Sequence, residues 1–523
     1  MKDTFRQSMA WLHTWAGLVL GWVLFFVFVT GTLSYVRFEI DRWMMPERPM
    51  AASVPPVAES LPRAVAYLER HFADAQSWTI FLPMRRLGHD LYLVARPWPG
   101  SEDTEALFLD PATGQPDAVK VRDTGGGGHL YEMHYQLHYI PYEIGIRLVA
   151  ICAIFMLIAT LTGVVVHKKI FKDFFTFRPG KGQRSWLDAH NLLGVTALPF
   201  HIMISWSGLV FFLFTYMPAG PAILHGDTGQ RVAQETAASP APVAPQRAPR
   251  ADMVPIATIV SQVEKRWGTS ASIGRVVVTA PGEMNGKVTV YPSGRGNVEK
   301  DYGSLTFRAA TGTLLRDERA TPSPIAMTQE VLVSLHAADF AGPALRAIFV
   351  LVGLASAGMI ATGLVLWTAK RRAKQGSTFG FRLVETLNIG AIAGLPVAIA
   401  AYFWANRLLS LSLPERHDWE VHVLFLTWAA LLIWPIWRPA RRAWVELLSL
   451  GACAFGFLPV LNALTTDRHL GVSIPAGDWV MAGFDLIALL VGAAFVLAAR
   501  KAAMPPVPSA RSRTKPRIVA EAL

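Results

Sequence analysis

The stretch 186-WLDAHNLLGVTALPFHIMISWSGLVFFLFTY-216 is long enough to cross a bilayer and carries no Lys or Arg, yet it holds two histidines. His190 and His201 are eleven residues apart. At about 100° per residue that is close to three turns, so a straight helix projects both rings from one face, about 16 Å apart along its axis. Ionisable side chains in such a helix face the bundle interior and mark a candidate site. A lone ring reads as a hydrogen-bonded packing residue. Two on one face bring metal or haem ligation level with that reading, because neutral imidazole is the commonest metal ligand and a usual axial ligand of haem.

The same plan recurs near the N-terminus. His13 and Gly17, followed by Thr30-Gly31, match His190 and Gly194, followed by Ser207-Gly208, at identical spacing. The returning segments repeat as well: Leu137-His138 leads to Thr162-Gly163 and His167, and Leu335-His336 leads to Thr362-Gly363. Self-similarity of this kind reads as an internal duplication. Each half is then a helix, a long insertion and a second helix.

Composition places the chain in a membrane. Apolar residues make up 52% and charged ones 17%, and uncharged runs of about twenty residues recur along its length. The net charge of +11 raises nucleic acid as a partner, but its distribution argues against that. The basic residues crowd into short segments between apolar runs: Lys168, Lys169, Lys172 and Arg178, then Lys370, Arg371, Arg372 and Lys374. By the positive-inside rule these segments and both termini lie in the cytoplasm, and membrane lipids are the surrounding partner. Gln7 to Val36 is too long for a signal-peptide core and reads as an uncleaved first span. The two cysteines, Cys152 and Cys453, sit inside apolar runs and offer no disulfide framework.

Taken in order, a first span (1–36) leads to an external region (37–136), a second span (137–167), a basic loop (168–188) and a third span (189–216). A second external region (217–335) contains an Ala/Pro-rich linker (237–250). A fourth span (336–369), a basic loop (370–384), four further spans (385–500) and a basic tail (501–523) complete the chain. Each external region shows a helical pattern, Ser60 to Phe72 and Ile256 to Trp267, followed by three strand-like pieces. The third piece runs into a turn, Asp110 to Gly114 and Ala310 to Thr313. Gly125 to Gly128 reads as a hinge rather than a phosphate cradle, because no Lys-Ser/Thr follows. Asp485 is a candidate buried acid. His417, His422 and His469 read as interfacial polar residues, and the last four spans read as an accessory bundle without assigned chemistry.

The His-x-x-x-Gly spans, the Leu-His entry and Thr-Gly exit of the returning helices, and the Thr-Gly turns of the external regions together resemble the PepSY-associated transmembrane helix family. Asp188 to Asn191 and Leu198 to His201 are similar to its inner-membrane ferrisiderophore reductases. That resemblance covers roughly residues 5–375. It implies an all-α polytopic bundle of about eight transmembrane helices, both ends inside and internally duplicated, with two small α+β PepSY-like periplasmic modules. It also implies two b-type haems in a bacterial inner membrane, passing electrons outward to the iron of a ferric siderophore or another ferric chelate.

Depth and pseudo-symmetry sort the histidines under that reading. His13 and His190 form an inner haem site, and His138 and His336 an outer one. His134, one turn before His138, is an alternative outer ligand. His201 lies between the two levels with its partner undecided, and His167, beside two lysines, reads as a snorkelling interface residue. Tyr131, Tyr135, Tyr139 and Tyr142 line an outer vestibule or form an aromatic interface belt. No GxGxxG, Walker or flavin fingerprint is present, so the expected electron donor is a quinol or a separate reductase. The rival readings are a quinol-linked reductase of another acceptor such as copper, and a non-redox partner-binding protein.

Overall fold

In lipid every backbone N–H and C=O must be satisfied within its own segment, so long apolar runs fold as helices. The computed structural model describes residues 4–48, 55–83, 91–98, 104–116, 121–167, 176–213, 247–268, 273–293, 303–317 and 324–504. Lys168, Lys169 and Lys172 of the first basic loop, linker residues 237–246 and tail residues 505–523 lie outside the described residues. Among the described residues six helices are long and apolar enough to cross a membrane, or eight when two bent pairs are each taken as one span.

The first bent pair is α1 (Phe5–Val19) with α2 (Gly21–Ser34), at 64°, and it leads into the short α3 (Arg37–Met44). The second is α7 (Gln183–Thr196) with α8 (Leu198–Phe211), at 66°. Pro199 at the start of α8 accounts for that bend, because its ring carries no N–H and displaces the carbonyl four residues earlier. His190 and His201 therefore do not share one straight face, as the eleven-residue spacing implied. Matching α1/α2 and α7/α8 are the returning spans α6 (Tyr142–Val166) and α11 (Pro343–Gln375), and each is preceded by a shorter helix, α5 (Gly126–Gln136) or α10 (Pro324–Ala337). The halves interlock: α2 packs on α11, and α8 on α6.

The two insertions, expected as separate modules, form one antiparallel sheet of seven strands in the order β3-β2-β1-β4-β5-β6-β7. From the first insertion come α4 (Val57–His71), β1 (Ser77–Phe81), β2 (Leu91–Arg96) and β3 (Glu105–Leu109). From the second come α9 (Ile256–Trp267), β4 (Ile273–Thr279), β5 (Lys287–Pro292), β6 (Leu305–Arg308) and β7 (Leu314–Asp317). The joint is β1 against β4, from Ser77 opposite Thr279 to Phe81 opposite Arg275. Two separate sheets would each leave that edge as a row of unpaired N–H and C=O groups, and pairing them removes both edges at once. It also continues the buried face, since Trp78 and Ile80 lie opposite Val278 and Val276. Leu61, Leu68, Ile259 and Val263 of the two helices cover that face. The turns after β3 and β6 match, with Gly114 and Gly312 at φ of 67° and 69°, where only glycine sits without strain.

The remaining helices of eight residues or more are α12 (Phe379–Ile392), α13 (Gly394–Leu408), α14 (Arg416–Ile433), α15 (Ala440–Gly456), α16 (Leu458–Thr465) and α17 (Trp479–Ala503). They pack against α2, α3 and α11, and so complete the bundle around the first repeat.

Candidate functional site

One arrangement occurs four times in the bundle, and its parts are the hydroxyl-glycine pairs that mark the duplication. Each hydroxyl folds back on its own helix: Thr30 to the Phe26 carbonyl at 2.8 Å, Thr162 to Ile158 at 2.7 Å, Ser207 to Met203 at 2.6 Å and Thr362 to Gly358 at 2.7 Å. The glycine that follows is the floor for an imidazole from another helix. A Cβ on Gly31 would stand 2.6 Å from the His134 ring, on Gly163 3.2 Å from His13, on Gly208 3.0 Å from His336 and on Gly363 3.0 Å from His190. Any side chain there displaces the ring.

The carbonyl three residues before each hydroxyl faces the ring's Nδ1. The distances are 2.8 Å for Val27 and His134, 2.9 Å for Ala159 and His13, and 2.8 Å for Met359 and His190. At His336 the facing carbonyl is that of Ile204, and the Ser207 hydroxyl lies 3.0 Å from Nδ1. A carbonyl only accepts, so it fixes the hydrogen on Nδ1 and leaves the Nε2 lone pair free. That is the tautomer and orientation a metal-ligating histidine takes from its surroundings.

These four rings meet in two pairs. His13 and His190 have centroids 6.1 Å apart with planes at 70°. His134 and His336 have centroids 6.0 Å apart with planes at 35°. An ion between two Nε2 atoms at a metal–imidazole distance of about 2 Å holds the ring centres roughly 6 Å apart. Each pair lines a cavity. The one at His134 and His336 has a volume of about 190 Å³ and is also lined by Gly31, Gly208, Arg37 and Tyr131. The one at His13 and His190 has a volume of about 450 Å³ and is bordered by Arg6, Lys370 and Arg371. We call them the sheet-side and basic-end sites, α5 and α10 being the helices that follow the strands.

The partner facing His336 is thus His134, where the repeat of the Leu-His dipeptide had suggested His138. Helix α5 ends at Gln136, and Leu137 and Tyr139 take positive φ values of 57° and 61°. The chain turns there, and the His138 ring stacks on Phe425 of α14, 5.4 Å away. His129 and His422 stand in the same surface group: His129 lies 5.6 Å from His138, and the His422 ring bonds the Tyr139 hydroxyl. His417 binds Asp123 at 2.7 Å, and His469 caps a short turn at Gly471. His201 and His167 both line the basic-end cavity, and their Nε2 atoms are buried without a hydrogen-bond partner. Tyr131 and Tyr135 border the sheet-side cavity, while Tyr139 and Tyr142 are exposed. Asp188 is tied to Arg178 at 2.7 Å, which anchors the start of α7 two residues before His190.

Gly125 to Gly128, expected as a hinge, is a packed seam. A Cβ on Gly127 would collide with the backbone of Arg37. Asp41 accepts from the Gly127 N–H at 2.7 Å, and Tyr402 donates to the Gly126 carbonyl at 2.8 Å. Glu420 accepts from the Thr124 hydroxyl at 2.6 Å and the Gly125 N–H at 3.2 Å, and pairs with Arg416, both side chains being fully buried. Asp485, the acid expected in the last span, is buried and accepts from Trp43 at 2.9 Å and Asn462 at 3.0 Å. The C-terminal helices therefore grip α3 and the start of α5, the helix that carries His134.

The chain is 27% identical over 383 residues to the uncharacterized protein PA4219 of Pseudomonas aeruginosa, an alignment covering 69% of this chain and 92% of that protein. The PepSY-associated TM region family matches residues 10–370, a stretch that holds all four paired histidines and every hydroxyl-glycine unit. The chain is a multi-pass membrane protein that belongs to the PepSY-associated TM region family.

Proposed function

We propose that the protein is a transmembrane reductase holding two b-type haems. One would lie between His13 and His190, the other between His134 and His336, and the acceptor would be the ferric iron of a siderophore or similar chelate. The observation that carries this reading is the pairing itself. Four imidazoles from separate helices meet two by two about 6 Å apart, with Nδ1 engaged and Nε2 free, beside two cavities.

A bound haem would supply one-electron redox chemistry. The chain does the rest. The carbonyls of Val27, Ala159, Ile204 and Met359 hold the imidazoles in one tautomer and raise their basicity. The glycine floors let helices close on the rings. Arg37, stacked over Tyr131 at 4.3 Å, places a cation at the sheet-side cavity, suited to an anionic group. Reduction to Fe(II) weakens the hold of hard oxygen donors on the iron, which is how such a chelate would release it.

Charge supports one orientation. Arg6, Lys370 and Arg371 border the basic-end cavity, which under the positive-inside rule favours that site toward the cytoplasm and the sheet in the periplasm of a bacterial inner membrane. The direct test is haem content by pyridine haemochrome on the purified protein, followed by stopped-flow oxidation of the reduced protein. Two haems per chain, reoxidised by a ferric chelate and not by Cu(II), is the expected result. Absence of haem after expression with ample supply sinks the reading, and preference for Cu(II) transfers it to a different acceptor.

A further inference from the structure

The two cavities differ by more than a factor of two in volume, and their walls differ in chemistry. Three nitrogen atoms in the wall of the basic-end cavity are buried without a hydrogen-bond partner: Nε2 of His201, Nε2 of His167 and Nε1 of Trp367. Among the described residues none lines the sheet-side cavity. Buried polar atoms left unpaired are costly, and such atoms gathered in one cavity wall point to a ligand with complementary groups. His13 and His190 already serve the proposed iron site there; a haem carboxylate would accept from Trp367 but would offer no donor to His201 Nε2, which stays surplus to that site.

The donor and acceptor roles narrow the ligand. His201 is 1% exposed with Nε2 buried and unpaired, and in the tautomer with the hydrogen on Nδ1 that Nε2 is an acceptor. Trp367 Nε1 is a donor only. The same cavity is lined by Leu18, Leu198, Ile360 and Leu364. An apolar ring that offers a hydroxyl to one side and an oxygen acceptor to the other satisfies both nitrogens. Inorganic anions satisfy Trp367 and the bordering Arg6, Lys370 and Arg371, but they leave a neutral His201 facing a negative charge.

We infer that this cavity binds the headgroup of a membrane quinol beside the His13/His190 site. His201 Nε2 accepts from one quinol hydroxyl, and Trp367 Nε1 donates to the oxygen at the far end of the ring. The inference rests on the reductase reading and names the class of its electron donor. His201 is then a substrate-binding residue, not an iron ligand.

The test is calorimetric titration of decylubiquinone, in its oxidised and reduced forms, into the full-length protein in lipid nanodiscs, with empty nanodiscs subtracted. Haem content and melting temperature are measured on the same samples. His201→Phe is expected to weaken quinol binding about tenfold or more, His201→Gln to retain it because its amide oxygen still accepts, and Trp367→Phe to weaken it a few-fold, all with unchanged haem content. Should His201→Phe fail to fold, the Trp367→Phe and His201→Gln pair carries the test. Equal affinity in wild type and every variant overturns the site. Loss of one haem in His201→Phe also overturns it, by assigning His201 to iron. A wild-type protein that lacks haem yet binds quinol through His201 defeats the reductase reading while supporting the site.

Discussion

At the basic-end pair the rings of His13 and His190 stand at 70° across a cavity of about 450 Å³, whereas at the sheet-side pair His134 and His336 stand at 35° across about 190 Å³. Both are assembled from the same unit of hydroxyl, glycine, carbonyl and imidazole. Their housing differs. The helix carrying His134 is held at its start by Asp41, Tyr402 and Glu420, whereas the C-terminal helices reach the other pair through α11, where Asn388 donates to the Leu364 carbonyl at 2.9 Å, one residue after the Gly363 floor. The other pair sits in a roomier chamber with three unpaired nitrogens in its wall. The two repeats thus present matching histidine pairs in unequal housings, one tight and the other roomy.

The strongest way to break the comparison is to remove rings. Alanine at His13 or His190 is expected to eliminate one haem per chain, and alanine at His134 or His336 the other, read from the haemochrome ratio. A double substitution within a pair should remove no more than either single one, and His138→Ala should retain both haems. Next in size, Glu420→Ala leaves the buried Arg416 unpaired, and breaking such a pair costs roughly 3–5 kcal/mol. Thermal unfolding should register that loss, and only the sheet-side haem spectrum should change. A spectral change at both sites would show that the hold of Glu420 on the start of α5 is not selective.

Smaller effects sharpen the contrast. Gly31→Ala, whose Cβ would stand 2.6 Å from His134, should cost about 1–3 kcal/mol through overpacking. Gly163→Ala, at 3.2 Å from His13, should cost less, and melting curves of the two variants settle the order. Ser207→Ala removes the hydroxyl 3.0 Å from His336 Nδ1, a loss on the order of 1 kcal/mol. Redox titration should show the sheet-side midpoint potential moving while the other stays put.

Much of this was readable in the sequence, because the information was local or repeated. Uncharged runs located the spans, and alternating apolar residues located six of the seven strands, with β7 missed. The repeat of His13 in His190 supplied one pair directly. The other was obscured by spacing. His336 precedes Gly363 by 27 residues, while His134 and His138 precede Gly163 by 29 and 25, so counting gives no choice between them. The choice is made by the backbone at Leu137, which no pattern of residue types announces. Likewise, Thr30-Gly31 and Ser207-Gly208 were visible as matching signatures on the spans of His13 and His190. That they are floors for His134 and His336 emerges only once the helices are packed. The fusion of two modules into one sheet depended on an edge meeting an edge about 200 residues apart in the chain, Ser77 against Thr279, a distance over which periodicity is silent.

That junction has a bearing on ancestry. Two identical strands lying side by side in opposite directions are related by a half-turn, which is the symmetry of an isologous contact between like subunits. Strands β1 and β4, at the same place in each repeat, meet in this way. A forebear with a single repeat would have found its twin along the same border, and joining the two genes would have preserved a homodimer seam inside one polypeptide.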